Sequence, residues 1–294
     1  MNCTFCGTVV PLVTPYKPDL ALDLDGFAAL LQHFDTRDAV DGLFVMGATG
    51  EYDRLNFAER CQILDLLLEL QLKTAWIPNI SSLEWEPSLA LARYAGERGI
   101  ETVGFILPAG CRSFADVRRC LSELRDMGLK VFVYQTGNSP YPLTAEELGE
   151  LVDADLLTGI KDSCSNTNMF RHLRYVAEQG ERITVIQGVE MLYLSSLCLG
   201  GAGVIGGGCN VYPEQLTAIR RAWESRDLER ARQIQRDVNI WIEGIYNEGS
   251  GLESMKYYLA LSGVPIGTAS RSSSGELSAT KRGWVEALHR RLPG

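Results

Sequence analysis

Histidines, basic clusters and long apolar runs are all scarce in this chain of 294 residues, and each shortage removes a class of function. Only His33, His172 and His289 occur, far apart in sequence, so a histidine-built metal centre has no local signature. The 28 lysines and arginines are outnumbered by 37 acidic residues, leaving a net charge of −9 with no sizeable basic run. That balance argues against a nucleic-acid partner. No stretch approaches the length that spans a bilayer, and the start Met1-Asn2-Cys3-Thr4 lacks the basic and apolar regions of a signal peptide. A cytoplasmic protein with no membrane partner is expected. The eight cysteines are scattered through strands, helices and loops, which suits a reducing compartment better than a disulfide framework. Cys3-Thr4-Phe5-Cys6 has CxxC spacing but no second CxxC to complete a zinc site, so no metal is expected.

What is present is an alternation. Short β-branched or apolar runs at 8–13, 42–46, 74–80, 102–107, 129–134, 157–162, 183–187 and 203–205 are separated by amphipathic helical stretches. Eight such units close a barrel, and the fold class expected is α/β, a (β/α)8 TIM barrel over residues 1–225. Helix starts are marked by Asn56-Phe57-Ala58-Glu59 and Thr144-Ala145-Glu146-Glu147, both with capping-box spacing, and Pro213 suits a first helical turn. Residues 226–294 read as a C-terminal helical extension packed on the barrel. Leu228, Ala231, Ile234, Val238, Trp241, Ile242 and Ile245 recur there at helical spacing, 252–262 and 276–292 look helical, and 270–275 is a polar loop.

In such a barrel the active site lies where the strands end. Lys161 closes the apolar run Leu156-Leu157-Thr158-Gly159-Ile160-Lys161, at one of those ends. An amine held among apolar neighbours loses hydration of its charged form, which favours the neutral nucleophile and points to a Schiff base with a carbonyl substrate. Gly47-Ala48-Thr49-Gly50-Glu51 follows the second strand, where glycines permit a tight turn and backbone N–H groups with the Thr49 hydroxyl can receive a carboxylate. Tyr134 ends the fifth strand, and a buried phenol there can move a proton near the imine carbon.

Taken together these segments, with Gly159-Ile160-Lys161-Asp162-Ser163, Gly188-Val189-Glu190, Gly203-Val204-Ile205, Asn210 and Lys256, resemble the dihydrodipicolinate synthase / N-acetylneuraminate lyase family of pyruvate-handling class I lyases and aldolases. The resemblance covers nearly the whole chain. It implies a covalent imine on Lys161 with no cofactor, Tyr134 as proton shuttle, Ile205 packed on the pyruvyl face, Gly188 leaving room above the seventh strand, and a homotetramer. Two departures stand out. Ala48 replaces the hydroxyl residue that usually bonds the shuttle tyrosine, and Leu107-Pro108-Ala109-Gly110 replaces an aromatic pair that reaches into the neighbouring subunit.

The substrate signals are also incomplete. Dihydrodipicolinate synthases have an arginine shortly after the tyrosine, whereas this chain reads Gln135-Thr136-Gly137-Asn138-Ser139; Arg112 is the substitute to be tested. Sialic acid lyases carry an acidic pair after the seventh-strand glycine, and here Glu190 is followed by Met191. A pocket lined by Gln135, Asn138, Ser139, Ser163 and Glu190 is expected, suited to a short hydroxylated chain. The leading expectation is an aldolase or dehydratase acting on a 2-keto-3-deoxy sugar acid or related 2-keto acid, with an aldehyde or sugar acid as the other partner. Dihydrodipicolinate synthase or N-acetylneuraminate lyase activity, a 2-keto-acid sensor that no longer turns over, and a scaffold role are the alternatives.

Overall fold

The computed structural model describes residues 5–164, 169–180, 182–249, 251–273 and 276–292. Cys3 of the CxxC pair, and the last two residues of the polar loop 270–275, lie outside them. All eight expected strands form: β1 (Gly7–Pro11), β2 (Gly42–Val45), β3 (Ala75–Pro78), β4 (Thr102–Ile106), β5 (Lys130–Thr136), β6 (Gly159–Ser163), β7 (Thr184–Gln187) and β8 (Gly203–Val204). They pair in parallel in the order β3-β2-β1-β8-β7-β6-β5-β4, and a parallel bridge between Asn79 and Gly104 joins the two outer strands into a barrel. Eight helices follow the strands in turn: α1 (Leu24–Asp35), α2 (Phe57–Leu70), α3 (Trp85–Glu97), α4 (Phe114–Asp126), α5 (Ala145–Asp153), α6 (Met169–Gln179), α7 (Tyr193–Cys198) and α8 (Pro213–Glu224).

The period of two along each strand divides the core into an inner and an outer layer. Val9, Phe44, Ile77, Phe132, Tyr134, Ile186 and Ile205, with Phe5, pack together inside the barrel. Their strand neighbours Val10, Leu43, Val45, Val131, Val133, Ile160 and Val185 belong to the larger layer between sheet and helices. Both capping boxes form. Asn56 and Thr144 each accept from the backbone N–H three residues on, while Glu59 and Glu147 reach back to the cap amide. Each cap contributes about 1 kcal/mol.

Three further helices follow the barrel: α9 (Leu228–Tyr246), α10 (Leu252–Leu261) and α11 (Ala279–Arg291). Ala231, Ile234, Val238, Trp241, Ile242 and Ile245 form the buried stripe of α9, and the Trp241 ring packs on Tyr212 before α8. Leu228 is a correction to the expected stripe: it is the first residue of α9, beyond the packed surface, and is 54% exposed. The third helix starts later than periodicity suggests, because Ser278 caps it by accepting from the Lys281 amide.

Candidate active site

The C-terminal ends of β2, β5, β6, β7 and β8 converge on a cavity of about 360 Å³. Ala48, Thr49, Tyr134, Lys161, Ser163, Gly188, Glu190 and Ile205 line it, joined by Gly207, Tyr246, Leu252 and Ser272. Lys161 is buried, and its register partner on β5 is Tyr134. Partners on adjacent parallel strands point to the same side of the sheet, here the barrel interior. Lys161 Nζ consequently sits 3.8 Å from the centroid of the Tyr134 ring and 5.3 Å from that of Phe44, which meets Tyr134 edge-on.

The turn after β2 is tight for a different reason from the one expected. Its left-handed residues are Met46, at φ 56°, and Glu51, at φ 55°, not the glycines. Gly47 and Gly50 are instead places of close approach: a Cβ on the first would meet the Phe44 ring and one on the second would lie 3.0 Å from the Leu12 carbonyl. The amides of Gly50, Glu51 and Tyr52 are spent inside the turn. Ala48 and Thr49 are left facing the cavity.

Ser163 and Gly188 are complementary. A Cβ on Gly188 would overlap the Ser163 Oγ, and that oxygen is buried without a partner among the described residues. Glu190 is buried as well, accepting from the Gly208 amide. Burial pushes its carboxyl up, and the Gly208 bond and the Lys161 charge pull it back only in part.

Three expected members of the pocket lie elsewhere. Gln135 faces outward, because it follows the inward Tyr134 on the same strand; it is buried against Tyr175, with Arg171 and the Leu143 amide available to its oxygen. Asn138 is exposed on the turn after β5, its amide donating to Thr136 Oγ1, and Ser139 Oγ accepts from the Thr136 amide. Neither joins the cavity lining. Arg112 is held outside too, its Nε donating to the Ala109 carbonyl.

Other matched positions act on the frame. Asn210 donates to the carbonyls of Pro11 and Gly207, tying the segment after β8 back to β1. Lys256 and Glu51 form an ion pair with both side chains fully buried. Behind the sheet, Asp162 faces α6: its Oδ2 lies 3.7 Å from His172 Nδ1, and His172 Nε2 is 2.8 Å from Ser196 Oγ. Burial pushes the Asp162 carboxyl up and the His172 imidazole down to about 4. Tyr246, Leu252 and Ser272 were not foreseen as site residues, since nothing in a helical stripe or a polar loop marks which end meets a cavity. Among the described residues no group of three or more His, Cys, Asp or Glu is arranged to hold a metal, and no helix is long and apolar enough to cross a membrane.

The chain matches the Dihydrodipicolinate synthetase family over residues 4–291. It belongs to that family, and it is a class I, Schiff-base-forming lyase. Among its relatives, an uncharacterized DapA-like lyase of Pyrococcus horikoshii is 25% identical over 264 residues, covering 88% of this chain and 91% of the relative. An N-acetylneuraminate lyase of Escherichia coli is 25% identical over 268 residues, covering 88% and 89%. The fold is shared with the solved N-acetylneuraminate lyase of Mycoplasma synoviae at a TM-score of 0.88 and 22% identity, over 100% of both chains. A prophage protein of the dihydrodipicolinic acid synthase family from Escherichia coli K12, solved with pyruvate, superposes at 0.86 with 23% identity over 98% of both.

Proposed function

We propose that Lys161 forms an imine with the carbonyl of a 2-keto acid, and that the enzyme cleaves or assembles a short 2-keto-3-deoxy sugar acid. The observation that carries this reading is the placement of Lys161 Nζ 3.8 Å from the Tyr134 ring inside a cavity open to Thr49, Ser163 and Glu190. In the cleavage direction the neutral amine adds to C2, and the carbinolamine hydroxyl leaves as water with the Tyr134 proton, giving the imine in its iminium form and a Tyr134 phenolate. The C4 hydroxyl then surrenders its proton to the Tyr134 oxygen, the C3–C4 bond breaks, and its electrons run into the imine to form an enamine while the aldehyde departs. Protonation of the enamine at C3 and addition of water return the amine and free pyruvate. In a dehydratase the Tyr134 phenolate instead takes a proton from C3 to give the enamine, whose electrons expel the C4 hydroxyl, which leaves as water with that proton. The carboxylate of the keto acid is assigned to the Ala48–Thr49 turn, and a chain hydroxyl to Ser163 and Glu190.

A lining whose only basic residue is Lys161, committed to the imine, supports a hydroxylated aldehyde over a second acid. No arginine lies in the turn 136–139, and Arg112 is engaged elsewhere. Within this reading Ala48 supplies no hydroxyl, so water or the substrate's own hydroxyls complete proton transfer around Tyr134. We further propose a cytoplasmic homotetramer, with no metal or organic cofactor, whose subunits pack without an aromatic interlock from residues 107–110. Residues 226–294 serve as an extension of the barrel 1–225 that walls the cavity.

The test is reduction with borohydride in the presence of pyruvate, followed by peptide mass analysis. A reduced pyruvyl adduct on Lys161 supports the reading; an adduct on another lysine with Lys161 untouched overturns it. Light scattering that gives a monomer at micromolar concentration overturns the assembly.

A further inference from the structure

Three glycines follow β8 in succession, and each gives up its side chain to a different polar group. A Cβ on Gly206 would overlap the Glu190 carboxyl, one on Gly207 would overlap the Tyr246 hydroxyl, and one on Gly208 would overlap the Tyr212 hydroxyl. Bare backbone at this strand end thus lets a carboxylate from the β7 side and a phenol from the C-terminal helices approach the same segment. Both belong to the cavity that holds Lys161.

The Tyr246 phenol is held there from three sides. Its hydroxyl abuts Gly207, and the edge of its ring abuts Gly251, which sits at φ 78° where a side chain would be strained as well as crowded. The third hold is Lys281 on α11. It is buried, and its Nζ donates to the carbonyls of Gly244 and Ile245 and to Asn247 Oδ1, clamping the last turn of α9 around Tyr246. A cation at a helix C-terminus is favourably placed. The residue is 44% exposed, while among the described residues the hydroxyl makes no hydrogen bond. Burial first, and then the Glu190 carboxylate, push the phenol up, so it stays protonated and acts as a donor.

We propose that Tyr246 is a specificity-determining residue, its hydroxyl donating to a hydroxyl on the aldehyde half of the substrate while Glu190 accepts from that half. A substrate hydroxyl has a hydrogen to give and lone pairs to receive on, and a donor and an acceptor lining one cavity match both needs. An aldehyde lacking the hydroxyl would leave the Tyr246 hydroxyl without an acceptor and Glu190 with only the Gly208 amide, which is how such a pair discriminates. This inference rests on the Schiff-base reading, and the experiment separates the two.

Wild-type protein and Tyr246→Phe are compared in condensation of pyruvate with D-glyceraldehyde and with propanal, which lacks the hydroxyls, together with borohydride trapping of pyruvate alone. The expected result is a fall of about tenfold in kcat/KM for D-glyceraldehyde in the variant, ~1.4 kcal/mol. Propanal kinetics and pyruvate trapping should be unchanged. Equal falls with both aldehydes, or no change with either, overturn the inference while leaving the imine intact. Wild-type protein that traps no pyruvate overturns the Schiff-base reading and the inference with it. Tyr246→Phe keeps the ring between Gly207 and Gly251, and an unaltered urea midpoint confirms that the comparison is between folded proteins.

Discussion

Glu51 and Lys256 stand 205 residues apart in sequence and meet as a fully buried ion pair, Nζ to Oε1 at 3.0 Å. The other carboxylate oxygen of Glu51 accepts from Ser270 Oγ and from the amides of Arg271 and Ser272, and Lys256 also donates to the Ala269 carbonyl. One pair therefore fixes the β2 turn, the middle of α10 and the loop that carries Ser272 into the cavity. Arg271 reinforces it by pairing with Glu59 and donating to the Leu20 carbonyl.

Removing one member of this pair strands the other in a dry interior. Glu51→Gln and Lys256→Met should each lower unfolding free energy by about 3–5 kcal/mol, and the double variant should recover part of the loss. Urea titration measures it. A double variant as unstable as the sum of the singles would show that the two groups act separately.

Lys161 and Tyr134 yield a catalytic prediction. Tyr134→Phe should reduce kcat by about 10²–10⁴-fold, the range for a general acid–base group, while Ala48→Thr should change it less than about tenfold. Turnover with D-glyceraldehyde and pyruvate, measured beside the rate of imine trapping, is the assay. Near-normal turnover in Tyr134→Phe would move the proton shuttle elsewhere, with Glu190 the next group to examine.

Gly188 and Ser163 allow a steric test. Gly188→Ala drives a methyl into the Ser163 Oγ and should cost about 1–3 kcal/mol in stability along with most of the activity. Combining it with Ser163→Gly should restore the urea midpoint but not the activity. Failure to restore the midpoint would place the strain on the backbone.

His172 predicts a pH dependence of stability. Burial lowers its folded pKa from 6.5 to about 4, so between those values the unfolded chain binds the extra proton. Its contribution is fully present above pH 6.5 and is lost as pH falls through the window, ~3 kcal/mol in all. Asp162, pushed up by burial, works in the opposite sense: its contribution is lost as pH rises from the ordinary carboxylate range through its raised value. The difference in unfolding free energy between wild type and His172→Gln, followed from pH 7 to 4, isolates the imidazole. It should shift against the wild type as pH falls; a difference independent of pH would mean that His172 charges freely in place.

The family's absent arginine leads to a negative prediction. Condensation of pyruvate with aspartate semialdehyde should stay at background, and free lysine should not inhibit the enzyme. Robust condensation, monitored spectroscopically, would show that another group holds the second carboxylate.

The sequence by itself determined the eight strands, the two helix starts with capping boxes and the strand-end positions of Lys161 and Tyr134, because all of these are local. A period of two sets which side of a sheet a residue occupies, and a cap needs only a partner three residues away. The same period already barred Gln135 from the cavity that holds Tyr134, and the exposed turn containing Asn138 carried no such rule. Tertiary structure alone decided the rest. Lys256 reads as one more residue on a helix until Glu51 is folded against it, Leu228 reads as core until α9 is seen to begin beyond the packed surface, and Tyr246 becomes a cavity group only where Gly207 and Gly251 leave room for its ring. Contacts between segments that only the folded chain brings together leave no periodic trace, since each partner is constrained only by the space the other leaves.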